Sequence, residues 1–136
     1  LYGISIFSLG HYLEIAYPAL QTNGLQMLIW GYFVSTVVLI HCTLFVNSLA
    51  HILGSQRYDT GDDSRNNGFI ALLTMGEGWH NNHHHCPVSA RQGFFWWEID
   101  MSYYLLKLMS YLGIIWELRP VPSERLYSKL IEKDAK

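Results

Sequence analysis

The stretch from Leu25 to Leu53 holds no acidic or basic side chain other than histidine. As a helix that rises 1.5 Å per residue, it would be longer than the roughly 30 Å hydrocarbon core of a bilayer. Residues 1 to about 20 are also apolar, and Asn23-Gly24 favours a tight reversal between the two segments. We therefore predict an all-α integral membrane fold in which residues 1–53 form two antiparallel transmembrane helices.

Charged residues are concentrated in the rest of the chain. All nine Lys and Arg residues follow His51, and Glu14 is the only charged residue before Arg57. Because Lys and Arg accumulate on the cytoplasmic side of membrane proteins, we predict that residues 54–136 form a cytosolic or interfacial helical cap. The formal net charge of -2 does not favour a nucleic-acid partner.

Three segments of this cap have their own helical signals. Residues 69–75 are a short apolar run that we expect to be helical. Residues 101–112 repeat apolar side chains at helical spacing, with Asp100 as a candidate N-cap and Gly113 as a stop. This pattern predicts an amphipathic helix that lies in the membrane interface. Residues 123–136 predict a small polar helix.

Four of the seven histidines lie close together, at His80, His83, His84 and His85. On a helix, residues three and four apart share a face, so His80, His83 and His84 converge while His85 is rotated away by about 100°. Three imidazoles without a thiolate suit an iron or zinc ion that does chemistry better than a structural site. The alternative is a surface histidine tract that binds metal adventitiously.

The neighbours of these histidines bear on the type of site. A zinc peptidase needs Glu directly after the first His of its H-E-x-x-H signature, and Asn81 stands there. Asn81 and Asn82 can hydrogen-bond the imidazoles or a metal-bound water. Glu77 can accept a hydrogen bond from an imidazole N–H, or form a plain salt bridge. Gly76 and Gly78 allow close backbone approach or unusual dihedral angles where the ligands must be aimed.

A polar stripe ends in one more histidine. Thr36, Thr43, Asn47 and His51 follow one another at helical spacings along the apolar segment. By itself, such a stripe indicates a polar seam for helix packing, because Thr and Asn hydrogen-bond across membrane helices. His41 lies about 80° around the same helix from His51, and we expect it to be a hydrogen-bonded packing residue outside the site.

Together these motifs resemble a known family. Gly-Glu-Gly-Trp-His-Asn-Asn-His-His at 76–84 and Asn-Ser-Leu-Ala-His at 47–51 look like the third histidine box and its upstream partner in the membrane-bound fatty acid desaturases, especially the delta-9 acyl-CoA and acyl-lipid type. The resemblance continues through 57–60, 63–67 and 93–100, and it covers about 30–122. It implies that His51, His80, His83 and His84 bind iron and that Asn47 holds a metal-linked water.

The resemblance implies a reaction and its partners. A di-iron centre activates O2 and removes hydrogens from two adjacent carbons of an acyl-CoA or acyl-lipid, leaving a cis double bond, with position nine expected. The histidine ligands are the only catalytic residues expected. Two electrons arrive from cytochrome b5 or a ferredoxin with its reductase. Arg57 and Arg65 are candidate contacts to a phosphate or CoA headgroup.

The chain opens on Leu1 inside an apolar run, so we expect it to be part of a longer protein with a truncated first helix. Four imidazoles are too few for two iron ions, and the family supplies the others from two earlier histidine boxes. We therefore expect these residues alone to be inactive. The alternatives are a sibling membrane di-iron hydroxylase and a non-catalytic membrane module that binds metal or a partner.

Overall fold

The computed structural model describes residues 1–131, which form helices joined by turns and loops. Isolated β-bridges pair parts of these loops. The helices are α1 (Tyr2–Ala16), α2 (Gly24–Leu28), α3 (Ser35–Leu49), α4 (Gly68–Leu73), α5 (His80–His85), α6 (Met101–Tyr111) and α7 (Ser123–Leu126). A 3-10 turn, Pro18–Leu20, follows α1, and a π-helical segment, Ile29–Val34, joins α2 to α3. The all-α prediction is confirmed for this part of the chain, which divides into two compact units, residues 1–42 and a second that starts at Thr43.

In the first unit, α1 packs against α2 and the π-helical segment in the opposite direction. The Tyr2 hydroxyl donates to the Gly31 carbonyl at 3.3 Å, whereas Gly10, towards the other end of α1, faces Asn23 and Met27. A Cβ on Gly10 would lie 2.7 Å from both the Asn23 carbonyl oxygen and the Met27 Cβ. Close packing of these helices therefore requires glycine at this position.

One helix among residues 1–131 is long and apolar enough to cross a bilayer. It runs continuously over Gly24–Leu49, with 26 residues and a mean hydropathy of 1.9. At 1.5 Å per residue it is about 39 Å long. The other expected spanning helix, α1, has 15 residues. It ends at Ala16 because Pro18 and the residue before it disfavour helical backbone.

The apolar helix ends at Leu49, four residues before the predicted end at Leu53. The Arg65 N–H donates to the Ala50 carbonyl at 2.7 Å and so takes an acceptor that a continuing helix would use. His51 consequently lies in the turn that follows α3 and not on its last helical turn.

In the second unit, Gly78 brings the segment before α5 close to other backbone, as we predicted. A Cβ on Gly78 would lie 2.6 Å from both the Ala71 Cα and the Asn67 carbonyl oxygen. Gly76 has a φ of 129°, and a side chain there would meet the Asp100 carboxylate. The short helix α4, which begins at Gly68 and not at Phe69, is thereby held against the start of α5.

Glu98 is the centre of a buried cluster of polar groups. Its side chain is fully buried, and its Oε1 forms an ion pair with the Arg57 Nη1 at 2.5 Å. Its Oε2 accepts from the Phe94 N–H at 2.7 Å, from the Phe95 N–H at 3.2 Å and from the Asn82 amide at 2.9 Å. A carboxylate this far from water needs such partners, since an unpaired buried charge is very costly.

Both predicted ends of the amphipathic helix are confirmed. The Asp100 Oδ1 accepts from the Tyr103 N–H at 2.9 Å and caps α6, and Gly113 follows the helix with a φ of 70°. The Oδ2 of Asp100 accepts from the Gln92 N–H at 2.7 Å, which ties α6 to the preceding loop.

The prediction of a helix over 123–136 is wrong beyond Leu126, where α7 ends. The Asp59 N–H donates to the Lys129 carbonyl at 2.8 Å, and the Ile131 N–H donates to the Arg57 carbonyl at 2.9 Å. Leu126 and Leu130 pack against the buried Tyr58, so burial and backbone pairing override the helical tendency of this segment. The rest of the predicted helix, 132–136, lies outside the described residues.

Replacing Gly78 with Ala tests the close approach of α4 to the start of α5. We expect a loss of about 2 kcal/mol of unfolding free energy, because backbone atoms must shift to admit the methyl group. Gly68→Ala is the control, since its Cβ would meet only the Trp79 ring at 3.5 Å. Denaturant unfolding of both variants in detergent provides the comparison, and equal stability of the two would contradict the assignment.

Replacing Glu98 with Gln tests the buried ion pair. The amide keeps the shape of the side chain but leaves the Arg57 charge unpaired, so we expect a loss of about 3 kcal/mol, at the lower end of the cost of breaking a buried pair. Arg57 is 20% exposed, which moderates this cost. Glu117→Gln makes the same charge change at an exposed position and should alter stability by less than about 0.5 kcal/mol in the same unfolding assay.

Candidate metal centre

Three of the predicted ligands meet in the second unit. One side-chain nitrogen from each of His51, His80 and His84 lies within 4.8 Å of the other two. The Nε2 atoms of His51 and His80 are 3.0 Å apart. The ring centroids of His80 and His84 are separated by 4.3 Å, and those of His51 and His84 by 5.6 Å. Histidines from two distant parts of the sequence therefore face one point.

The other histidines have different surroundings. The ring of His83 is 6.2 Å from that of His80 and 5.8 Å from that of His84, beside the cluster of three. His85 stacks on Tyr58 at 3.9 Å, and its Nε2–H donates to the Arg125 carbonyl at 2.8 Å. His85 is therefore part of the packing of the second unit.

His41 belongs to the first unit, and it forms a hydrogen bond within its own helix. Its Nδ1–H donates to the Val37 carbonyl, one turn earlier in the same helix, at 2.8 Å. This bond agrees with the expectation of a hydrogen-bonded histidine.

Two buried amides fasten α5 to the neighbouring loop. The Asn81 Oδ1 accepts from the backbone N–H groups of Arg57 and Tyr58 at 2.9 and 2.8 Å, and its Nδ2 donates to the Tyr58 carbonyl at 3.0 Å. The Asn82 N–H donates to the Asn66 Oδ1 at 3.1 Å, while the Asn66 Nδ2 donates to the Asn82 Oδ1 at 2.7 Å. Both asparagines are fully buried. These bonds fix the helix that carries the histidines.

The predicted contact of these amides with imidazoles or a metal-bound water stays a prediction. The hydrogen bonds just described use both the side-chain oxygen and nitrogen of Asn81 and the side-chain oxygen of Asn82. The Asn82 Nδ2 donates to the Glu98 Oε2 and to the Gln92 carbonyl, each at 2.9 Å. In residues 1–131, no hydrogen bond joins either amide to an imidazole. In this structure they orient the whole helix.

Burial keeps His80 in its neutral form. Burial, followed by the nearby imidazoles of His84, His51 and His83, lowers the pKa of His80 from 6.5 to about 4. Burial and then His84 also lower the pKa of His83. A neutral imidazole has a free lone pair, which is what a metal ion needs.

Asp62 contacts the cluster, and the sequence reasoning missed it. Its Oδ2 accepts from the Nδ1–H of His84 at 2.5 Å. Burial raises the pKa of Asp62, but hydrogen bonds from Ser64, His84 and Thr60 outweigh this effect and hold the pKa below its usual range. The spacing of Thr60, Asp62 and Ser64 is typical of a side-chain-to-backbone turn, yet nothing in it identifies His84 as the partner.

The remaining predicted residues are Asn47, Glu77, Arg57 and Arg65, and each has surroundings of its own. The Asn47 Nδ2 donates to the Thr43 carbonyl at 3.1 Å. Glu77 is exposed, and its charge opposes the lowering of the His83 pKa; among described residues it makes no hydrogen bond to an imidazole. The guanidinium of Arg65 donates to the Gly54 carbonyl at 3.2 Å, and that of Arg57 pairs with buried Glu98.

The donor set fits a metal ion. Two ligands at right angles on one ion, with metal–nitrogen bonds of about 2.1 Å, have donor atoms about 3.0 Å apart. The Nε2 atoms of His51 and His80 have this separation. Three imidazoles leave coordination positions on an ion open, so the arrangement suits a reactive centre more than a closed structural one.

Known proteins of several organisms are similar in sequence to this chain. No model of a protein family matches the chain. The acyl-CoA 5-desaturase AL21 of Anemone leveillei is 52% identical over 102 residues, covering 75% of this chain and 32% of that protein. The sn-1 stearoyl-lipid 9-desaturase of Synechocystis sp. is 43% identical over 107 residues, 79% of this chain and 34% of that protein. Delta-9 acyl-lipid desaturase 1 of Arabidopsis thaliana is 38% identical over 114 residues, covering 84% of this chain and 37% of that protein.

These similarities cover most of the chain, including the histidine segments. The chain spans about a third of the length of these relatives. The relatives share the desaturase name, although they differ in the acyl carrier and the position that their names state. By sequence, the chain is homologous over most of its length to acyl-CoA and acyl-lipid desaturases.

Proposed function

We propose that this chain is the C-terminal, metal-binding part of an O2-dependent acyl desaturase of the membrane. The observation that carries the proposal is the convergence of His51, His80 and His84 within 4.8 Å in a chain homologous to desaturases. A histidine tract on a surface would not require His51, which is 29 positions from His80 in the sequence. The convergence therefore favours a built metal site over an adventitious one.

His51, His80 and His84 would hold one iron ion, and His83 beside them would contribute to a second. Iron held there would supply the activation of O2 that removal of hydrogen from saturated carbons requires. Side chains alone cannot do this, since such carbons have no acidic proton and no leaving group. The protein contributes neutral imidazoles, fixed in place by the anchored helix α5.

The proposed substrate is a saturated fatty acyl chain carried on CoA or on a lipid, the two carriers in the names of the relatives. We propose position nine for the double bond, which the names of the Synechocystis and Arabidopsis relatives carry, whereas the name of the Anemone relative carries position five. Full reduction of O2 to water takes four electrons, and the acyl chain supplies two. The other two come from a donor, for which we propose cytochrome b5 or a ferredoxin with its reductase.

Arg57 and Arg65 were candidate contacts to the headgroup of the substrate. The guanidinium of Arg57 already pairs with Glu98 and lies 4.7 Å from the centre of the Phe95 ring, so its contacts within the chain are extensive. Arg65 is partly exposed and bonds one carbonyl, at Gly54. We therefore retain Arg65 as the better placed of the two for a phosphate.

We propose that the protein is integral to the membrane, with the histidine cluster on the cytoplasmic side. Gly24–Leu49 is long enough to span, and we propose α1 as part of a second, antiparallel span. Large apolar side chains of the second unit are exposed, including Phe69 at 71% and Trp96 at 82%. Exposed aromatic residues of this kind suit the headgroup layer. Residues 1–53 and 54–136 are the proposed membrane and cytosolic portions.

Replacing His51, His80 or His84 with Ala in the complete protein should abolish both iron binding and desaturation. We expect a fall of at least about 100-fold, because even groups that only support a metal ligand contribute 10- to 100-fold. The measurements are iron per polypeptide and unsaturated fatty acid formed in a host that lacks its own desaturase. The position of the double bond, or a hydroxylated product in its place, is determined from the same lipid extract.

His11→Ala is the matched control for loss of an imidazole, since His11 lies in α1 with a side chain that is 64% exposed. It should leave iron content and product unchanged. Normal product from the His80→Ala variant would contradict the ligand assignment.

Cysteine labelling tests the membrane orientation. In a variant that lacks Cys42 and Cys86, single cysteines at Arg65 and Lys129 should react only with reagent supplied from the cytoplasmic side. A cysteine at Thr22, in the turn between α1 and α2, is the control and should react only from the opposite side. If the cysteines at Thr22 and Arg65 reacted from the same side, Gly24–Leu49 would not span the membrane.

A further inference from the structure

The carboxylate of Asp62 is held at both oxygens. Its Oδ1 accepts from the Thr60 hydroxyl and from the Ser64 backbone N–H, each at 2.8 Å. Its Oδ2 faces the Nδ1 of His84 at 2.5 Å. The loop is tied down as well, because the Gln56 side chain donates to the Asp62 carbonyl at 3.1 Å and Asn81 reaches the hydroxyl of Ser64 at 3.4 Å. Asp62 is thus fixed in position independently of His84.

We infer that Asp62 is a positioning residue that sets the ring orientation and tautomer of His84, and this inference rests on the metal site proposed above. A carboxylate acceptor at Nδ1 requires the ring proton to be on Nδ1. The Nε2 atom then carries the free lone pair and is the nitrogen that binds the ion. A hydrogen bond from a ligating histidine to a carboxylate also raises the basicity of the ring.

Other features of the contact argue against a merely stabilising role. The side chains of His84 and Asp62 are 31% and 36% exposed, and ion pairs this open to solvent contribute little to folding stability. Three donors nevertheless converge on one carboxylate, two of them from its own loop. Such an arrangement is expected if the position of the imidazole matters for its chemistry.

Asp62→Asn distinguishes a positioning role from a merely stabilising one, because it changes the shape of the side chain very little. The Ser64 N–H can only donate, so the amide oxygen of Asn must take the place of Oδ1. The amide nitrogen then faces the Nδ1 of His84 with a donor, which favours the tautomer with its proton on Nε2. That tautomer has no lone pair at Nε2 for the ion.

The test uses the complete protein, purified in detergent without metal and titrated with Fe(II) against a competing chelator. Asp62→Asn should lower the apparent Fe(II) affinity by 10- to 100-fold, in the range found for groups that support metal ligands. The melting temperature of the metal-free protein should stay unchanged. Asp63→Asn, the same charge change at the exposed neighbouring residue, should leave both quantities unchanged.

A double-mutant comparison separates positioning from a general effect on the loop. In a His84→Ala background, Asp62→Asn should cause no further loss of Fe(II) affinity, because its effect acts through the imidazole that is already absent. An equal loss in both backgrounds, or a lowered melting temperature of the metal-free Asp62→Asn protein, would show a structural role and overturn the inference.

Failure of the inference differs from failure of the proposed function. If His84→Ala lowers the Fe(II) affinity and Asp62→Asn does not, Asp62 has no positioning role, although the metal site stands. If His84→Ala itself leaves the affinity unchanged, the proposed metal site is wrong and the inference falls with it.

Discussion

The fixed position of the histidines depends on two buried amides. A helix of six residues such as α5 has no stability of its own in water, and four of its six residues are histidines. Asn81 and Asn82 replace the missing helical stability with hydrogen bonds to the backbone and side chains of the loop around Arg57 and Asn66. Both amides are fully buried, so leaving them unpaired would be costly. The partners of these amides therefore determine where the imidazoles lie.

The ion pair between Arg57 and Glu98 extends this anchoring to the loop after α5. Glu98 binds the backbone at Phe94 and Phe95 as well as the amide of Asn82, so one buried carboxylate connects three parts of the second unit. Such a cluster is stable only when each of its members is satisfied. A change at Glu98 consequently reaches the histidines through Asn82 without touching an imidazole.

Sequence patterns alone predicted the all-α class and several of the helices, and they brought most of the candidate site residues to attention. The length of the apolar run predicted the spanning helix Gly24–Leu49, whereas the second predicted span is not shown among residues 1–131. The capping residues predicted both ends of α6, and the three-and-four spacing placed His80 and His84 on one face. These features depend on neighbours within a few residues, which is why local spacing is enough to find them. The similarity to desaturases was likewise visible in short motifs of the histidine segments.

Tertiary contacts decided the rest, because their partners lie far apart in the sequence. The apolar helix stops at Leu49 since the Arg65 N–H takes the Ala50 carbonyl, and α7 stops at Leu126 since the chain after it pairs beside Tyr58. The contact of Asp62 with His84 joins residues 22 positions apart, and no periodic pattern predicts it. The sequence by itself therefore determined which residues are candidates for the chemistry, whereas only the folded chain decided which groups hold them in place, because those groups meet through loop closure and burial.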